Sequence, residues 1–158
     1  MSYKLNVGDH MPAFKAKDST GHIFTSDDVL GGPVVIYFYP KDDTPGCTKE
    51  ACSFRDHIDN LDEYDAILIG ISPDGAQSHE SFIEKHKLNF TILSDESLEV
   101  CRKFDVMRDS ANGKTTPSVE RTTFIIDARG IICWIERPVN IEGHVERVLK
   151  ALHEIIGK

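Results

Sequence analysis

The stretch Tyr37–Asp56, YFYPKDDTPGCTKEACSFRD, leads out of an apolar run into a candidate helix and sets Cys47 and Cys52 five residues apart. Val34 to Tyr39 is continuous, β-branched and aromatic, as suits a strand covered on both faces, and Pro40 stops it. From Thr44 the period changes: Thr44 can cap a helix, Pro45 can take its first position, and Ala51, Phe54, Ile58 and Leu61 recur at helical spacing. Cys47 then lies in the first turn, where unpaired N–H groups and the macrodipole favour a thiolate. An intact helix holds the two cysteine Cα atoms roughly 8 to 9 Å apart. A disulfide spans only about 4.4 to 6.8 Å. Two readings follow. Either the first turns unwind before the pair bonds, which suits a reactive thiol and its partner, or the helix starts after Cys52 and a fixed disulfide closes easily.

Working outward, short apolar runs alternate with helical patterns. MPAFKAKDSTGHIFTSDDVLGG reads as a lead-in hairpin around Thr20 and Gly21, a helical turn capped at Ser26, and a break at Gly31 and Gly32. AILIGIS is a second buried strand, GAQSHESFIEKHKL a helix burying Phe82 and Ile83, and FTILSD a third strand. ESLEVCRKFDV is a helix with Leu98, Cys101 and Phe104 on one stripe, followed by the loop NGKTTPS. ERTTFIID and IICWIER form two strands joined at ARG, and IEGHVERVLKALHEII is a final helix with Val145, Val148, Leu149, Leu152 and Ile156 on one side. The order β-α-β-α-β-α and then β-β-α describes an α/β domain over residues 1–158, with a mixed central sheet flanked by helices, an N-terminal hairpin extension and a thioredoxin-like arrangement.

At 158 residues the chain fits one domain that needs no staple. A net charge of −8, with no clustered Lys and Arg, argues against nucleic acid and anionic membranes as partners. No apolar stretch approaches the roughly 20 residues that span a bilayer. MSYKLNVGDHMPAF lacks the pattern of a secretory signal, so a reducing cytoplasmic location is expected, where disulfides are mostly transient and catalytic or sensing.

YPKDDTPGCTKEACSFRD resembles the active-site segment of the peroxiredoxins, in particular the peroxiredoxin Q or bacterioferritin comigratory protein branch. Pro40, Thr44 and Cys47 stand as that family's P-x-x-x-T-x-x-C, and Cys52 holds the branch's resolving position. GISPDGAQSHESFIEKHKLNFTILSD and ERTTFIID also match, and the latter brings Arg121 into the family's arginine position; the likeness runs from Val7 to Leu152. CRKFDVMRDSANGKTTPSVE departs from it in lacking a Tyr-Gly pair. The resemblance implies a thioredoxin fold, reduction of hydrogen peroxide and organic hydroperoxides without metal or organic cofactor, and a monomer re-reduced by thioredoxin or a glutaredoxin-type donor. Cys47 would attack the peroxide and become a sulfenic acid, Cys52 would resolve it, Arg121 and the Thr44 hydroxyl would hold the reacting oxygens, and Pro40 would shield them from water.

Plainer roles stand beside these. Glu50, one turn from Cys47, can orient Arg121 or face solvent. Cys101 and Cys133 sit among apolar neighbours and read as core residues. His79 and His86, seven apart, are too far for an i, i+4 ligand pair and read as surface residues. Of the competing functions, a general disulfide oxidoreductase normally uses C-x-x-C, and a zinc module wants two ligand pairs.

Overall fold

The computed structural model describes residues 3–108 and 118–156. Its main sheet has seven strands in the order β2-β1-β5-β4-β3-β8-β9. The centre is the apolar run read from the sequence: β3 (Val34–Phe38) is buried at every position and pairs in parallel with β4 (Ile67–Ser72), which pairs in parallel with β5 (Thr91–Ser94). On the other side β3 runs antiparallel to β8 (Thr122–Ile126), whose hairpin partner is β9 (Ile132–Glu136). The N-terminal hairpin, β1 (Lys15–Asp18) and β2 (Ile23–Thr25), is part of the sheet, because β1 pairs antiparallel with β5. A separate two-stranded ribbon joins β6 (Met107–Arg108) to β7 (Ser118–Val119).

Alternation along β3 divides the core. Val34, Ile36 and Phe38 point into a cluster with Phe14, Val100, Cys101, Phe104 and Ile126. Val35, Tyr37 and Tyr39 point into the opposite one, with Cys47, Ala51, Phe54, Phe82, Ile125, Val148 and Leu152. The second face is covered by α1 (Pro45–Asp56), α2 (Ile58–Asp62), α3 (Ala76–His86) and α5 (His144–Ile156), the first by α4 (Glu99–Lys103) and the N-terminal segment. This mixed, helix-flanked sheet is a thioredoxin-like fold.

Some expectations change. The helix expected to run unbroken to Leu61 divides at His57 (φ −112, ψ 14), whose ring Nδ1 lies 2.8 Å from the Ser53 carbonyl. The first short helix is capped by Thr25, one residue before Ser26: its backbone N–H donates to Asp28 in a capping box. Leu98 leaves the α4 stripe because it occupies the N-cap in a left-handed conformation, and Val100 takes its place in the core. Cys101 is buried, but Cys133, expected in the core, is half-buried on β9. Most of the NGKTTPS loop lies outside the described residues.

Gly70 lies against the Tyr37 ring: a Cβ there would meet ring carbons at 3.0 Å. Tyr37 cannot yield, since it stacks on Tyr39 and Phe54 at centroid distances of 5.4 and 4.8 Å. Gly70→Ala is expected to lower stability by about 1 to 3 kcal/mol through overpacking. Urea unfolding checks it, and an unchanged midpoint would show that the ring can move aside.

Candidate active site

Pro40 stands two residues beyond the C-terminal end of β3, and the four residues that follow it turn the chain into α1. Thr44 is the N-cap in extended conformation and Pro45 the first helical residue, as its fixed φ favours. The Thr44 side chain does not cap the helix; its hydroxyl donates to the Lys41 carbonyl at 3.1 Å. Helix geometry leaves the first-turn amides of Gly46 and Cys47 without intrahelical acceptors. Cys47, Glu50, Ala51 and Phe54 form the buried stripe of α1, so a thiol and a carboxyl share the face that two apolar residues anchor.

Arg121 arrives from the segment between β7 and β8. Its carbonyl accepts the Val139 amide at 2.9 Å, which ties it to the chain beyond β9. Its Nη1 donates both to Cys47 Sγ at 3.1 Å and to Glu50 Oε1 at 3.2 Å. Partial burial disfavours the guanidinium charge, but the hydrogen bonds and charges of Cys47 and Glu50 outweigh this and raise its pKa. Gly46 makes room for the fork, because a Cβ there would meet Ile141 at 3.0 Å and Arg121 Nη2 at 3.3 Å.

Glu50 therefore faces inward and not solvent. Its side chain is wholly buried, and burial pushes its carboxyl up to about 7 although Arg121 pulls it down. Oε2 finds no hydrogen-bond partner among the described residues; His144 Nε2 stands 3.7 Å away, within ion-pair distance and a few tenths of an ångström beyond a hydrogen bond. The Tyr37 hydroxyl is likewise buried and unpartnered, and its pKa is raised by burial and then by the nearby Glu50 and Cys47. Behind Glu50, His144 Nδ1 lies 3.2 Å from Glu136, which Arg147 clasps with two contacts of 2.7 Å.

A second polar cluster holds the loop that carries Pro40 and Thr44. Buried Asp42 accepts the Tyr39 hydroxyl at 2.6 Å and the Ser78 hydroxyl at 2.7 Å, and faces His79 Nδ1 at 2.7 Å. His79, expected on the surface, is 0% exposed, because this carboxylate gives its ring a partner. His86 is half-buried against Asp43 at 3.0 Å, so the surface reading fails there too.

The structure thus brings Cys47, Arg121 and Glu50 together and sets Pro40 and Thr44 on the adjoining loop. Cys52 is apart: α1 runs unbroken through both cysteines, so Cys52 is displaced by about 7.5 Å along the axis and about 140° around it. All four cysteines are unpaired. Sequence reading missed His144, Glu136 and Tyr37. One signal was available, since His144 continues the α5 stripe of Val148, Ala151 and Leu152 at i+4, i+7 and i+8. Among the described residues, no group of three or more His, Cys, Asp or Glu side chains is arranged to hold a metal ion.

Residues 7–135 match the model of the AhpC/TSA family. A Bcp-type relative from Coxiella burnetii is 44% identical over 94% of this chain and 99% of its own length. Peroxiredoxin Bcp of Bacillus subtilis is 39% identical over 98% of this chain and 99% of its own. Among solved structures, the Xanthomonas campestris bacterioferritin comigratory protein superposes with a TM-score of 0.89 at 32% identity, covering 98% of this chain and 99% of that one. With a thiol, an arginine and a helix N-terminus converging inside this fold, the chain belongs to the AhpC/TSA family, as a peroxiredoxin of the Bcp/Q branch and hence a thiol peroxidase.

Proposed function

We propose that Cys47 is the peroxidatic residue and Cys52 its resolving partner in the reduction of hydroperoxides. The observation that carries this reading is the Arg121 Nη1 contact at 3.1 Å from Cys47 Sγ in the first turn of α1. The thiolate attacks one peroxide oxygen; the S–O bond forms as the O–O bond breaks, sulfur is oxidised to sulfenic acid, and the departing hydroxide or alkoxide takes up a proton. Negative charge moves from sulfur to the leaving oxygen along that line. Arg121 and the open amides of Gly46 and Cys47 are the donors suited to hold it, the Thr44 hydroxyl joins them by turning from the Lys41 carbonyl, and Pro40 screens the site from water. The Xanthomonas relative is described with alkyl peroxide reduction activity and a trapped intermediate, which supports including organic hydroperoxides as substrates.

Resolution follows from the helix. Cys52 must reach Cys47 Sγ, form the S–S bond and expel water, which requires the first turns of α1 to open. Peroxiredoxins are reduced by thiol donors such as thioredoxin. We assign this chain a thioredoxin or glutaredoxin-type donor, a monomeric state, and the reducing cytoplasm where such donors keep the cycle running. A general disulfide oxidoreductase is disfavoured, since Cys47 and Cys52 sit on one intact helix and not in a short loop.

Three outcomes are expected. One equivalent of hydrogen peroxide, followed by stopped flow and mass spectrometry, should yield a Cys47–Cys52 bridge in the native protein, a stable Cys47 sulfenic acid in Cys52→Ser and no reaction in Cys47→Ser; oxidation spread over all four cysteines would sink the assignment. Arg121→Lys should lower the second-order rate with peroxide by about 10²-fold or more through loss of the fork. The third concerns Glu50: between its ordinary 4.5 and about 7 the folded protein keeps a proton that the unfolded chain has released, so stability falls as pH rises through that window. Glu50→Gln should flatten that part of the stability profile, as read by chemical unfolding at a series of pH values.

A further inference from the structure

Glu50 has the marks of a group that changes protonation during the reaction. One Arg121 nitrogen serves two anionic partners, Cys47 Sγ at 3.1 Å and Glu50 Oε1 at 3.2 Å. Two negative charges so close to a single cation in a buried site disfavour each other. While Cys47 is a thiolate it satisfies Arg121, and Glu50 is neutral at least cost when protonated. Conversion of Cys47 to an uncharged sulfenic acid removes that anion and leaves Arg121 with Glu50 alone. The change favours loss of the Glu50 proton at that moment.

The geometry behind Glu50 provides an acceptor. Oε2, the oxygen not bound to Arg121, is unpartnered and lies 3.7 Å from His144 Nε2. His144 Nδ1 is 3.2 Å from the Glu136 carboxylate, which fixes the tautomer with the proton on Nδ1 and leaves the Nε2 lone pair on the Glu50 side. The Thr123 hydroxyl, 2.9 Å from Nε2, can donate to the same lone pair. The groups facing this pair are Arg121, Cys47 and Tyr37 around Glu50, and Glu136, Arg147, Thr123 and the Phe54 ring around His144. Burial lowers the His144 pKa and keeps the resting ring neutral, while Glu136 opposes this and stabilises the imidazolium once formed. Glu136 is partly exposed and joined to the more exposed Arg147, so the line ends at solvent.

We propose that Glu50 and His144 form a buried proton pair that holds the charge beside Cys47 constant through oxidation: Glu50 carries a proton while Cys47 is a thiolate, and passes it to His144 Nε2 and on to solvent as Cys47 becomes a sulfenic acid. His144 is thus a positioning residue for the reaction, acting through Glu50 and touching no substrate. The inference rests on Cys47 being the peroxidatic thiol. It adds one step to the proton balance. Thiolate and hydrogen peroxide give sulfenic acid and hydroxide, which takes one proton from the medium; Glu50 returns part of it.

The test uses full-length Cys52→Ser protein and one equivalent of hydrogen peroxide in weak buffer at pH about 7, the value to which burial raises the Glu50 carboxyl. A pH indicator follows protons, mass spectrometry follows Cys47, and the thiolate absorbance before mixing scales the count. The expected uptake is clearly below one proton per thiolate oxidised. Adding Glu50→Gln should restore it to one. Adding His144→Gln should leave the extent unchanged but make the return of the proton lag behind oxidation, which a merely structural loss would not do. Uptake of one proton in the unaltered Glu50 background, with Cys47 fully converted to sulfenic acid, overturns the inference and leaves the assignment of Cys47 intact. Proton return in step with oxidation in His144→Gln removes His144 from the route, and failure of Cys47 to oxidise overturns the underlying assignment itself.

Discussion

The site depends on a single guanidinium nitrogen lying within hydrogen-bond distance of a sulfur and a carboxylate that belong to one helix face. Residues 47 and 121 are far apart in sequence, and the antiparallel pairing of β3 with β8 brings their segments to the same end of the sheet. Val139 fixes the Arg121 backbone, Gly46 leaves space beneath the fork, and the buried stripe of α1 sets Cys47 and Glu50 at the same depth. Each provision is local and small. Together they determine whether a charge can develop on sulfur in a place nearly closed to water.

The two faces of the sheet divide the work. On one, Val34, Ile36 and Phe38 meet Phe104 and Phe124 in a mainly apolar cluster, where the buried Asp95 carboxylate accepts the amides of Val100 and Cys101. On the other, Tyr37 and Tyr39 carry hydroxyls into the layer beneath α1, α3 and α5, where Asp42, Glu50, His79 and His144 are also buried. Alternation along one strand therefore separates a mainly apolar face from the face that hosts most of the buried ionisable groups. Burying those groups costs stability wherever a partner is lacking, as at Tyr37 and Glu50 Oε2.

The period change at Pro40 and Thr44, the first-turn position of Cys47 and the burial of Val34 to Tyr39 were all legible from local physics, because strand period, helix cap and proline geometry act over a few residues. Arg121 was not: a lone arginine before a strand carries no local sign of a partner 74 positions away, and only likeness to a family marked it. His79 and His144 misled or escaped for a related reason. The place of a histidine on an apolar stripe hints at burial, but the carboxylate that gives it a partner is not legible locally, because Asp42 and Glu136 come from other elements. Cys133 shows the converse, since apolar sequence neighbours do not guarantee that an outer strand is covered.

The first turn of α1 has little local support: its cap makes no side-chain bond, and Gly46 is a poor helix former. Besides the packing of Cys47 in the core, the turn is tethered by the contact of Arg121 with Cys47 Sγ, an attraction that is strongest when the sulfur carries charge. With Cys47 in its proposed peroxidatic role, oxidation to an uncharged sulfenic acid would cancel that attraction when the turn has to open, and Arg121 would keep Glu50 as its companion. Under the proposed cysteine roles the helix start would then act as a charge-operated catch, held shut by the reactant and released by the product, so that turnover itself would time the unwinding that a Cys47–Cys52 bridge requires.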